Sequence, residues 1–114
     1  MLTIDALRQF GADTKDGLGR CMNNEGFYLR LVSLSLDDAG FEKLSSAVRN
    51  GDKKAAFEAA HALKGVLGNL ALTPLYASAS EITELLRVNA DADYAALVEK
   101  LLRQREALTA LREG

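Results

Sequence analysis

The 114-residue chain holds one cysteine, one histidine, one proline and no tryptophan. The lone Cys21 leaves no internal disulfide and reads as a small helix residue in a reducing compartment. One histidine and one distant cysteine make no ligand cluster, so neither a metal nor a cofactor is expected. An excess of one charge is also missing: 14 basic against 16 acidic residues give a net −2. Nucleic-acid binders carry a basic stripe, so nucleic acid is not expected as a partner. No apolar run approaches the roughly 18 residues of a membrane span. The N-terminus lacks the basic-then-apolar pattern of a signal peptide. A cytoplasmic protein without membrane attachment follows as the expectation. Strand signals are nearly absent, since β-branched residues never alternate over a sustained run. There is no internal repeat, low-complexity segment or linker. With 48% apolar residues, the length suits one domain, 1–114, around one core.

What is present is helical periodicity. Thr3 to Phe10 reads as a short helix stopped by Gly11. Asp13 is a fair N-cap for a segment to Met22, although Gly17 and Gly19 weaken it. Glu25 to Leu36 spaces Phe27, Tyr28, Leu31, Leu34 and Leu36 as a helix does. Phe41 to Arg49 follows, with Leu44 and Val48 inward, and Asn50-Gly51 ends it. Asp52 caps a long helix to about Leu70. Thr73-Pro74 reads as an N-cap with proline at the first helical position. That helix, with Leu75, Ile82, Leu85 and Leu86, runs to about Val88. A last helix runs from about Ala92 to Arg112 on Leu97, Leu101, Leu108 and Leu111. Short connections between long helices give an all-α fold: an antiparallel four-helix bundle with an additional short N-terminal helix.

The chemistry concentrates in Ala60-His61-Ala62-Leu63-Lys64-Gly65, with Gly68-Asn69-Leu70 behind it. Each residue advances roughly 100° around a helix. Ala56, Ala59, Ala60, Leu63, Leu67 and Leu70 then lie opposite His61, while Phe57, Lys64, Gly65 and Gly68 share its side. His61 should stand in solvent. A glycine inside a helix costs about 1 kcal/mol relative to alanine, so two on one face suggest close approach of something beside His61. A neutral imidazole offers one ring nitrogen as nucleophile. Lys64, one turn on, can meet developing negative charge. Such a face suits a phosphoryl group delivered by another macromolecule. Gly65 and Gly68 lack the strand-loop-helix setting of a phosphate-binding loop, so no nucleotide site is indicated. A lone histidine on a convex face is unlike a Ser-His-Asp site.

At this point His61-Ala62-Leu63-Lys64-Gly65 resembles the H-x-L-K-G signature of histidine-containing phosphotransfer (HPt) domains of two-component phosphorelays. Asn69-Leu70 also matches, and Leu18 to Met22 and Phe27 to Leu31 are similar to that family's first bundle helices. The sequence departs from the pattern at Val66, usually a small residue, and at Ala71, usually glycine. The second departure bears on the helix exit, because glycine there supports a left-handed turn.

The resemblance implies a non-enzymatic phosphocarrier. His61, through Nε2, would accept a phosphoryl group from a receiver-domain aspartate and pass it to another receiver. Lys64 would balance phosphoryl charge, and Phe57, Gly65 and Gly68 would form the docking patch. Gly68 serves equally well for close approach of a neighbouring helix, and Phe57 for tucking under the N-terminal segment. The receiver supplies an acidic pocket and Mg²⁺, so this chain needs no cofactor. Partners are response-regulator receiver domains, with a hybrid histidine kinase as a further one, and the chain itself is expected to be a monomer. The rival reading is a helical interaction module that binds through this face without phosphorylation. A weaker third reading, the phosphorylated domain of a larger histidine kinase, is disfavoured by the starting Met and the length. Cys21 and the three tyrosines read as packing residues.

Overall fold

Helix starts in this chain are fixed by short polar side chains. In the computed structural model, which describes residues 1–114, Thr3, Asp13, Asn24, Asp52 and Asp93 each accept a hydrogen bond from the backbone N–H three residues on. This satisfies one of the orphan donors of a first turn. The helices so begun are α1 (Ile4–Phe10), α2 (Thr14–Arg20), α3 (Glu25–Ser35), α5 (Lys53–Asn69) and α7 (Tyr94–Glu113). The remaining two are α4 (Gly40–Arg49) and α6 (Thr73–Arg87). Thr73 is a correction. It is the first helical residue, not the cap, and Leu72 precedes the helix without a side-chain cap bond. Leu72 is fully buried, and its N–H belongs to the end of α5.

Five helices end alike. Gly11, Met22, Gly51, Ala71 and Asn89 have φ between 52° and 110°. In each, the N–H of the following residue reaches back five residues to a carbonyl, as Leu72 does to Leu67 at 3.1 Å. The left-handed residue itself donates three residues back, as Ala71 does to Gly68 at 3.0 Å. This is the Schellman arrangement. Ala71 thus takes the left-handed turn at φ 55°, the conformation glycine adopts more readily.

Short connections turn α4, α5, α6 and α7 into a four-helix bundle in which each helix packs on the next and α7 returns to α4. Three helices precede the bundle, α1 and α2 of seven residues each and α3 of eleven. One apolar cluster runs through the whole, from Leu2, Leu7 and Tyr28 to Leu101 and Leu108. The far-side stripe of α5 is its centre: Ala56, Ala59, Ala60, Leu63, Leu67 and Leu70 are all buried. Three expected inward positions, on two helices, differ. Phe27 and Leu34 of α3 are 49% and 58% exposed, and the face turned inward is Tyr28, Val32 and Leu36. In α7, Leu111 lies outside and Val98 inside. Both helices carry apolar residues on more than one face, so spacing alone leaves the phase open.

The N-terminal helices attach to the bundle at two places, the first of them the turn after α5. Tyr28 of α3 donates its hydroxyl to the Leu70 carbonyl at 2.8 Å. The Asp13 N–H, at the start of α2, donates to the Ala71 carbonyl at 2.9 Å. Gly17 makes room for the ring, since a Cβ there would lie 2.4 Å from Tyr28. At the other side of the bundle, Arg112 of α7 reaches the Ser33 carbonyl and Asp37, and Arg105 reaches the Leu36 carbonyl. The chain ends meet, with the Met1 amino group donating to the Gly114 carbonyl.

Burial, with Cys21, Asp13 and Asp16 nearby, pushes the Tyr28 hydroxyl from 10.0 up to about 12. The folded state therefore holds this proton more tightly than the unfolded chain. Its contribution to stability is whole below about pH 10 and is lost as pH rises through about 12. Denaturant titrations across this range should show Tyr28→Phe less stable at neutral pH by about 1–3 kcal/mol, because the Leu70 carbonyl loses its partner. The gap to the parent should narrow above pH 10, and a constant gap would contradict the assignment. Gly17→Ala should cost about 1–3 kcal/mol through overpacking against a ring that its hydrogen bond holds in place. A melt showing it equal to the parent would mean the ring moves freely.

Candidate functional site

The exposed face of α5 and the start of α6 border an open cleft of about 490 Å³. His61, Lys64, Gly65 and Gly68 line it from α5, Arg20 from α2, and Tyr76 from α6. Their grouping follows from the helix period, since His61 is exposed while Ala60 and Leu63 beside it are buried. The same rotation that buries the core stripe therefore presents the imidazole to solvent.

Lys64 is half-buried and enters none of the seven ion pairs of the chain. Its ammonium has no ion-pair partner and stands on α5 one turn from the histidine. At Gly65 an added Cβ would meet nothing within 4 Å. The backbone there is open to whatever approaches. Gly68 differs, because its Cβ would stand 3.0 Å from the Tyr76 ring. It permits the close approach of a neighbouring helix's side chain, and it also lines the cleft.

Phe57 does not tuck under the N-terminal segment. Its ring stacks on His61 with centroids 5.7 Å apart and planes 17° apart. The guanidinium of Arg87, on α6, lies over the same Phe57 ring at 5.1 Å. Arg87 in turn pairs with Glu84 at 3.0 Å. That hydrogen bond holds the Glu84 carboxyl below the usual carboxylate range, and the Arg87, Lys64 and His61 charges lower it further. On the α2 side, Arg20 pairs with Asp16 at 3.1 Å and reaches the Asn69 side-chain oxygen at 3.5 Å.

Arg87, Glu84, Tyr76 and Arg20 were not singled out by the sequence. All four come from other helices than α5, and no spacing within α5 could indicate them. No group of three or more His, Cys, Asp or Glu residues is placed to hold a metal ion, and no helix is long and apolar enough to cross a membrane.

The arrangement offers one accessible imidazole, one unpaired cation a turn away and clear space beside both. It is equipped to meet an anionic group carried on a surface, with little of its own to enclose a small substrate. Comparison with known proteins bears on the same segment. The family model described as the Hpt domain matches residues 35–114, which takes in α4 to α7 with the whole His61 face. Residues 1–34, including the segments Leu18 to Met22 and Phe27 to Leu31, lie outside that match. No curated protein and no solved structure matches the chain significantly. The match covers well over half of the residues, and the chain belongs to the Hpt domain family.

Proposed function

We propose that His61 is the phosphoacceptor of this phosphotransfer carrier, taking its phosphoryl group from a receiver-domain aspartate and passing it to a second receiver. The observation that carries the reading is the exposed imidazole beside the unpaired Lys64, on the one segment that holds the complete H-x-L-K-G. In the forward step the lone pair of Nε2 attacks phosphorus. The N–P bond forms, the acyl-phosphate P–O bond breaks, and the aspartate carboxylate leaves with the electron pair. Nδ1 keeps its hydrogen. The second transfer is the reverse reaction on another aspartate.

Lys64 balances charge on the transferring group, which matters because phosphoryl transfer depends mainly on positioning and electrostatics. Gly65, Gly68 and the adjacent Tyr76, which line the cleft, form the face against which a receiver docks. Most of the reaction's machinery then lies in the receiver, and the chain is a carrier in place of an enzyme. Residues 1–114 act as one unit in this reading, because the shared core and the clamped turn put α2 beside the site. A monomer in a reducing, cytoplasmic setting fits a carrier that meets receivers in turn.

Incubation with a phosphorylated receiver tests the reading. His61→Gln should keep its helix content and take no label, and persistent labelling of that variant would remove the assignment. Lys64→Ala should fold normally and transfer on the order of tenfold more slowly at low salt. A parental rate would reduce Lys64 to a solvated lysine.

The open space at Gly65 generates a trade-off. Alanine should stabilise the helix by about 0.5–1 kcal/mol. Leucine should also fold, but its side chain leans back toward the turn that carries His61. A displacement of about 1 Å there can cost on the order of 100-fold in rate. Thermal melts and transfer rates on the same samples should therefore diverge along Gly65→Ala and Gly65→Leu. Unfolding of the leucine variant would make Gly65 a packing residue, and parental transfer by it would defeat the docking role.

A further inference from the structure

An exposed side chain changes rotamer on the picosecond-to-nanosecond scale, and the outer torsion of an imidazole has broad, shallow wells. In-line attack requires the ring nitrogen in one direction. Something must narrow that freedom, or each transfer waits for the right orientation.

In this chain His61 has no hydrogen bond to orient it, and its ordering contact is aromatic. Side chains on a helix lean toward its N-terminus, so His61 lies back over Phe57, four residues earlier. The 5.7 Å separation and 17° angle describe a stacked pair of near-parallel rings. Phe57 is itself held from two sides. Its inner part packs against the core cluster, and Arg87 lies over its ring from α6. Glu84 fixes Arg87 at 3.0 Å.

We propose that Phe57 is a positioning residue for His61: the stack, tied to α6 through Arg87 and Glu84, fixes the imidazole plane before a receiver arrives. The proposal rests on the phosphoacceptor reading and deepens it. It assigns Phe57 to orientation of the nucleophile, where a place in the docking patch would have it contact the partner. The device spans two helices, so the orientation of the ring depends on the α5–α6 packing.

The two roles separate kinetically. Orientation changes the maximal rate of transfer, whereas docking changes the receiver concentration needed to reach half of it. Single-turnover transfer from a phosphorylated receiver domain should be measured for the parent, Phe57→Leu, Phe57→Tyr and Arg87→Gln. Because His61 is the only histidine, its imidazole ring protons can be followed by NMR without ambiguity. Phe57→Leu should lose the ring-current displacement of those protons and lower the maximal rate about tenfold, as expected of a misaligned reacting group. Its half-saturating receiver concentration should not move. Phe57→Tyr should restore both signals. Arg87→Gln, a change at an exposed residue, should give a smaller fall of the same kind, and it decides the matter if Phe57→Leu does not fold. A parental maximal rate in the variants, or an effect confined to the half-saturating concentration, would overturn the positioning role while leaving His61→Gln unlabelled. Labelling of His61→Gln would instead withdraw the phosphoacceptor reading on which the proposal stands.

Discussion

The turn at Leu70-Ala71-Leu72 holds the two parts of this structure together. It closes α5 through two backward hydrogen bonds and immediately opens α6. Closing a helix in this way leaves the turn's own carbonyls pointing outward, and buried carbonyls need donors. Tyr28 and the Asp13 N–H supply them, and both come from the segment that precedes the family match. The N-terminal helices therefore do more than cover apolar surface. They complete the hydrogen bonding of the helix that carries His61, and so set α2, with Arg20 and Asp16, at one wall of the cleft.

A single helix carries both halves of the protein's character. One side of α5 is the centre of the core, and the other is the reactive face. Rotation by two residues, about 200°, would nearly exchange them, so the register of α5 is fixed wherever the bundle is folded. The cation beside His61 stays without an ion-pair partner, while acidic residues nearby are engaged elsewhere. Glu84 is held by Arg87 and Asp16 by Arg20.

Much of this was legible in the residues themselves. The bounds of α5, its cap at Asp52, the burial of its stripe and the exposure of His61 are local consequences of spacing, and local rules read them correctly. Gly65 was legible for the same reason. The departure at Ala71 was visible as an irregularity, but the chain keeps the left-handed turn at φ 55°, as Met22 and Asn89 do, and its carbonyls meet donors from Tyr28 and Asp13, far away in sequence. Gly17 looked like a weakness in α2 until the Tyr28 ring occupied its missing side chain's place. Thr73 looked like a cap because its type and the following proline fit, yet the buried Leu72 had already taken the preceding position. Phe27, Leu34 and Leu111 misled through hydrophobicity without a clear phase. In each case the missing information was which neighbour a face meets, and that is a property of the assembled bundle.

The meeting of Met1 with Gly114 separates spatial order from chain order. With both ends at one point, the polypeptide is nearly a closed circuit. A peptide bond there would span no gap, and an opening made instead in the exposed Asn89-to-Asp91 connection would leave every helix with its present neighbours. Such rearrangements are tolerated where ends adjoin at a surface. The neighbours of each helix are set by packing in the bundle more than by where along the sequence the chain starts.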